Sequence, residues 1–142
     1  PSAVLLRRTG YGGREGRGMN AKAAAAPYGW PQRRLEPPAG PVVAFGIGGV
    51  LAEAVRDMAY RIAPFDAAEA RLMIDELRMR ALFDGMRGQP ASDIDAVAGI
   101  LVRVSELAWQ LRDRLAELDI NPLIVGPQGA GAIAADALIV LR

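Results

Sequence analysis

The residue types that could do chemistry lie near the carboxyl end of the sequence. Glu117, Asp119 and Asn121 alternate with apolar residues, and because a strand has a period of two, they would project from one face. Asp136 stands alone among the apolar residues 132–141, where an unpaired carboxylate is costly. Carboxylate and amide oxygens are ligands that hold Mg²⁺ together with phosphates and waters. The pattern predicts either a Mg²⁺ site or the solvated polar face of an edge hairpin.

The spacing between these residues predicts how they meet. Residues 126–131 are rich in glycine and read as a loop between two strands. If the hairpin folds symmetrically about the Gln128–Gly129 bond, Asn121 lies opposite Asp136. Cross-strand neighbours have Cβ atoms about 4.5–5.5 Å apart. We therefore expect Asn121, Asp136 and Asp119 in one patch, with Glu117 just beyond it.

A second candidate site is the glycine-rich stretch Gly46, Gly48 and Gly49, which is followed by Glu53 in an apolar run. Glycines let backbone N–H groups approach a phosphate, but the spacing matches neither the Walker A loop nor the dinucleotide fingerprint. A tight turn between two strands is the simpler interpretation. Glu53 either reaches into a polar site or faces solvent.

Composition excludes several classes of chemistry. The 142 residues contain neither Cys nor His, which removes disulfides, thiolate nucleophiles, Cys-based zinc sites and Ser-His-Asp triads. We find no apolar run of the roughly 18–20 residues that a membrane span needs and no signal peptide. We therefore expect a cytoplasmic protein without a membrane partner. The sequence begins with Pro1 rather than Met, which suggests a fragment.

Charge and composition divide the chain at about residue 40. Residues 1–39 carry seven basic and two acidic residues, whereas residues 40–142 carry ten basic and fourteen acidic residues. The first segment is rich in Gly, Arg and Pro, so we expect a poorly ordered arm that is either native or translated out of its natural frame. It has few aromatic residues for base stacking, which argues against nucleic acid as a partner.

Residues 40–142 have regular patterns. Short apolar runs predict strands over 41–45, 50–62, 118–125 and 133–141. A capping-box-like start at Asp66 predicts a helix whose apolar spacing continues to Ala81, and a second helix is expected from Ser92 to Leu115. The order strand, strand, helix, helix, strand, strand is typical of an α+β fold with an antiparallel sheet.

Three stretches of this region together resemble a known family. Gly40–Gly49 with Glu53 and Asp57, the loop Phe83–Pro90, and Glu117–Leu123 followed by Ala135–Ala137 resemble the ATP-grasp region of ADP-forming acetyl-CoA and acyl-CoA synthetases. The last stretch is also similar to the nucleotide-binding subunit of succinyl-CoA synthetase. The resemblance covers about residues 40–142 and implies the C-terminal subdomain of an ATP-grasp fold.

The resemblance implies an acid–CoA ligase that interconverts acyl-CoA, ADP and phosphate with a carboxylic acid, CoA and ATP, through an acyl phosphate and a phosphohistidine. It implies that Asn121 and Asp136 hold Mg²⁺, with Asp119 as a nearby support, and that Mg²⁺ and ATP or ADP are the cofactors. Many relatives carry a basic residue where this chain has Leu138.

The resemblance also implies that the site is incomplete. The preceding ATP-grasp subdomain, with its His-containing stretch, and the CoA-binding domains have no counterpart in residues 1–39. We therefore expect the isolated chain to be inactive and to need these domains in cis or in trans. The alternative is an inactive truncated remnant or a docking module that pairs with a separate subdomain.

Overall fold

A computed structural model describes residues 2–7, 40–47, 57–85, 88 and 90–142. The described strands are β1 (Ser2–Arg7), β2 (Val42–Ile47), β3 (Met58–Ile62), β4 (Leu115–Val125), β5 (Ala132–Ala134) and β6 (Ala137–Leu141). Helix α1 (Ala67–Asp75), a 3₁₀ helix (Arg80–Asp84) and helix α2 (Ile94–Gln110) lie between β3 and β4. The strands form one sheet in the order β3-β2-β1-β4-β5, with β6 also paired to β4. Each described pairing is antiparallel, which confirms the predicted α+β class.

Strand β1 lies in the middle of the sheet, where it pairs with β2 on one side and β4 on the other. This strand was not predicted from the sequence. The apolar stretch from Ala3 to Leu6 is too short to predict a strand by its pattern. Pairing with two strands that are distant in sequence makes it part of the sheet. The remainder of the predicted arm lies outside the described residues.

Helix α1 begins as predicted and ends earlier. The Asp66 carboxylate accepts a hydrogen bond from the Glu69 N–H at 2.9 Å, which caps the first turn. Beyond Asp75, the Asp57 carboxylate accepts the backbone N–H groups of Arg78 at 2.9 Å and Met79 at 2.8 Å. A continuous helix would give those N–H groups to its own carbonyls, so this contact explains the early end of α1.

The N-cap of helix α2 is Asp93, one residue after the predicted start at Ser92. The Asp93 carboxylate accepts the Ala96 N–H at 3.0 Å. The helix ends at Gln110, short of the predicted Leu115, which is already the first residue of β4. Within the described residues, no helix has the length and apolar character needed to cross a membrane.

Both helices pack on one face of the sheet. Arg61 of β3 lies on that face, where it pairs with Glu69 at 2.8 Å and Glu76 at 2.6 Å. Its neighbours Tyr60 and Ile62 are exposed, since successive side chains of a strand point to opposite faces. We call the face opposite α1 and α2 the open face. The largest fully buried side chains include Phe45, Met73, Ile74, Leu101 and Leu123.

Candidate metal and nucleotide site

The terminal hairpin has the predicted register. Leu123 lies opposite Ala134 in β5, and Ile120 lies opposite Ala137 in β6. Between these pairs, the Asn121 N–H donates to the Asp136 carbonyl at 3.2 Å. Asn121 therefore lies opposite Asp136, as the symmetric hairpin requires.

One part of the hairpin prediction was wrong. The expected single strand over 133–141 is two strands, β5 and β6, which are separated at Ala135 and Asp136. The Asp136 carboxylate accepts the N–H of Ala137 at 2.9 Å. This local hydrogen bond competes with regular strand geometry and accompanies the break in the strand at Asp136.

The polar residues of β4 share the open face. Leu118 and Ile120 are buried towards the helices, so Glu117, Asp119 and Asn121 project to the other side. Asn121 is exposed, whereas Glu117 and Asp119 are partly buried. The structure thus brings together the carboxylates and the amide that the sequence placed in one patch.

Negative charges lie close together in this patch. The pKa of Asp119 is raised, first because burial disfavours its charged form, and then because the carboxylates of Glu117 and Asp136 are close by. Leu138 lies directly opposite Asp119 across the β4–β6 pair, so the neighbour of this carboxylate on β6 is apolar. A cation bound at this patch would relieve the repulsion.

The donor set fits a metal that retains other ligands. In residues 40–47, 57–85, 88 and 90–142, no group of three or more acidic side chains lies close enough to hold a metal ion by itself. Asn121 and Asp136 offer an amide oxygen and a carboxylate. Mg²⁺ is commonly held by one or two protein ligands together with phosphates and waters, so the site fits Mg²⁺ that arrives with a nucleotide.

Asp93 anchors the hairpin, and the sequence did not identify this role. Its Oδ2 accepts the N–H groups of Gly129 at 3.0 Å and Gly131 at 2.8 Å. Hydrogen bonds from the backbone of Ala96, Gly131 and Gly129 lower its pKa against an opposing effect of burial. A helix cap could be found from sequence, but the contact with a loop more than thirty residues away could not.

The glycine-rich candidate is only partly described. Gly46 lies inside β2, between Ala3 of β1 and Met58 of β3, so the expected strand end at Gly46 was wrong and β2 continues to Ile47. A Cβ atom at Gly46 would meet the Met58 Sδ at 2.1 Å and the Asp57 carbonyl oxygen at 2.6 Å. Close packing therefore accounts for this glycine. Gly48, Gly49 and Glu53 lie outside the described residues.

A family model for the ATP-grasp domain matches residues 34–141. The chain therefore belongs to the ATP-grasp family, in agreement with the resemblance seen in its motifs. Over 107 residues it is 37% identical to the beta subunit of ADP-forming acetate–CoA ligase II from Pyrococcus furiosus, which covers 75% of this chain and 45% of the relative. It is 38% identical over 100 residues to ADP-forming acetate–CoA ligase I from Archaeoglobus fulgidus, which covers 70% of this chain and 14% of the relative.

The same relationship appears in three dimensions. The chain is similar to the acetyl-coenzyme A synthetase 1 of Ca. Korarchaeum cryptofilum, with a TM-score of 0.73 and 30% identity over 99% of this chain and 52% of the other. That structure was solved in complex with coenzyme A and Mg-AMPPCP, with a phosphohistidine segment pointing towards the nucleotide binding site. The chain thus spans between 14% and 52% of the length of these relatives.

Proposed function

We propose that residues 40–142 are the C-terminal ATP-grasp subdomain of an ADP-forming acid–CoA ligase and supply the Mg²⁺-holding wall of its nucleotide site. The complete enzyme would interconvert acyl-CoA, ADP and phosphate with a carboxylic acid, CoA and ATP. The observation that carries the proposal is the hairpin register, which sets Asn121 opposite Asp136 on the open face.

The proposed roles follow from the chemistry of each group. The amide oxygen of Asn121 and the carboxylate of Asp136 would hold Mg²⁺, while Asp119 adds negative charge beside them. Bound Mg²⁺ supplies charge neutralisation of the nucleotide phosphates during phosphoryl transfer. Because the apolar Leu138 lies opposite Asp119, we propose that the phosphate contacts come from other residues.

The nucleotide also needs contacts outside the hairpin. Gly48, Gly49 and Glu53 remain proposed nucleotide contacts, through backbone N–H groups and one carboxylate. Gly46 also remains a proposed nucleotide contact, and its close packing against Met58 would in addition hold this stretch in place.

The open face supports the need for a second subdomain. Tyr60 and Ile62 are 46% and 51% exposed, and Leu138 and Val140 are 54% and 39% exposed. Apolar surface of this kind is typical of a face that another domain covers. We propose that the missing ATP-grasp subdomain and the CoA-binding domains act in cis or in trans, in the cytoplasm. Their arrangement differs among the relatives, of which one is a beta subunit and another a much longer chain.

The test is reconstitution. This chain is mixed with the part of the Pyrococcus furiosus beta subunit that precedes its matched region and with the CoA-binding domains of that enzyme. ATP formation from acetyl-CoA, ADP and phosphate is then measured. We expect no activity from the chain alone, Mg²⁺-dependent activity from the mixture, and at least a hundredfold lower activity for Asn121→Ala or Asp136→Ala, since loss of one preorganised electrostatic contact costs that much in enzymes.

The matched control is Asp95→Ala, which removes an exposed carboxylate from α2 that pairs with Arg71. It should leave the activity of the mixture unchanged. Activity that is indifferent to Asn121 and Asp136 would remove the proposed metal site. A mixture that associates but forms no ATP with the unsubstituted chain would favour the alternative, in which the chain is an inactive remnant or docking module.

A further inference from the structure

Strand β6 lies at an edge of the sheet that the described residues form. Its five residues, Ala137–Leu141, contain no charge and no proline, and all five are exposed. In the part of the chain that the structure describes, β6 pairs with β4 alone. Proteins usually protect such edges with charged residues, proline, bulges or a covering element. An apolar edge without charged residues or proline is suited to strand addition.

The pairing with β4 determines which backbone groups remain free. The Asn121 N–H donates to the Asp136 carbonyl, so Asp136, Leu138 and Val140 direct their backbone groups towards β4. Ala137, Ile139 and Leu141 then direct theirs outwards. The Ala137 N–H is already bound by the Asp136 carboxylate. Ile139 and Leu141 therefore offer both N–H and carbonyl groups at the edge of the described sheet.

We propose that β6 pairs antiparallel with β6 of a second copy of this chain, about a twofold axis at Ile139. Ile139 then exchanges two hydrogen bonds with Ile139 of the second copy, and Ala137 lies opposite Leu141. Leu138 packs against Val140 of the second copy on the open face. Because the interface is isologous, each contact occurs twice, and one sheet runs through both copies.

Charge complementarity favours this register and this occupant. With Ile139 at the axis, Asp136 of each copy lies opposite Arg142 of the other, one pair at each end of the interface. Other twofold registers along β6 pair less of the strand or remove this opposition. β6 of a second copy is therefore complementary to β6 both in its free backbone groups and in its terminal charges.

Disulfide cross-linking tests the register directly. The chain contains no cysteine, and directly opposed residues of a hydrogen-bonded pair have Cα atoms about 5.5 Å apart, within disulfide range. Ile139→Cys should therefore give a cross-linked dimer under mild oxidation. Leu72→Cys is the matched control, because Leu72 is 51% exposed and Ile139 is 50% exposed, and it should remain a monomer on reducing-agent-free gels.

Sedimentation of the full chain without nucleotide tests the assembly itself. The average mass should rise from 15.1 kDa towards twice that value as the concentration is raised. Ile139→Pro removes an outward N–H without removing a β4–β6 hydrogen bond, so it should abolish the rise while the circular dichroism stays unchanged. Arg142→Glu should weaken dimerisation at least tenfold, and less so at high salt.

Three results would overturn the proposal. They are a monomeric mass at all concentrations, equal cross-linking of Ile139→Cys and Leu72→Cys, and a dimer that survives Ile139→Pro. A monomer whose β6 edge becomes protected only after mixing with the missing domains would assign the edge to those domains instead. Asp136 takes part in both proposals, but none of these measurements uses nucleotide or Mg²⁺, so a failure of this proposal can be distinguished from a failure of the proposed function.

Discussion

Replacing Gly46 with alanine should destabilise the protein through steric overlap. The added Cβ would lie 2.1 Å from the Met58 Sδ and 2.6 Å from the Asp57 carbonyl oxygen. The methionine side chain can rotate away, but the carbonyl is part of the backbone, so β2 and β3 must move apart. Overpacking of a core typically costs about 1–3 kcal/mol, and the backbone contact places Gly46→Ala in the upper part of this range.

Thermal unfolding followed by circular dichroism measures the effect. For a chain of this size, a loss of about 2–3 kcal/mol lowers Tm by roughly 5–15 °C. The control is Gly99→Ala in α2, where an added Cβ meets no atom within 4 Å. Alanine is favoured over glycine in a helix by about 1 kcal/mol, so this control should raise Tm.

Opposite signs for the two substitutions would support the packing role of Gly46. An unchanged Tm for Gly46→Ala would refute the steric argument. If nucleotide affinity of the reconstituted mixture fell while Tm stayed the same, Gly46 would belong to the nucleotide site and not to the packing between β2 and β3.

Three carboxylates give further predictions, each checked by thermal unfolding. Asp93→Ala should lower Tm well beyond Asp95→Ala, because it removes a helix cap and two hairpin contacts. Hydrogen bonds lower the pKa of Asp93, so its contribution is present above its unfolded pKa and lost as the pH falls below about 4. The raised pKa of Asp119 means that its charged form destabilises the folded chain at pH values above the folded-state pKa. Asp119→Asn should therefore raise Tm at pH 7 in the absence of Mg²⁺. That gain should vanish at about pH 3, where the carboxyl is protonated in both states, and its persistence there would contradict the electrostatic origin. Asp57→Ala should cost about 1–3 kcal/mol, because two partly buried N–H groups lose their acceptor. A loss no larger than that of Asp95→Ala would show that water replaces the carboxylate.

Local patterns determined the parts of the structure that depend on short spacing. The alternation around Asp119 and the symmetric loop predicted the register that sets Asn121 opposite Asp136, because strand period and turn length act over a few residues. The long apolar stripe predicted α2, since a helix has a period of 3.6 residues. Both predictions required no knowledge of distant contacts.

Long-range contacts decided the rest. β1 became a central strand because β2 and β4 supply partners on both sides. The early end of α1 depends on Asp57, and the anchoring of the hairpin depends on Asp93, each through a carboxylate that reaches backbone groups far away in sequence. A sequence displays the residues that can form such contacts, but only the folded chain selects which of them meet, because that choice depends on the packing of the helices against one face of the sheet.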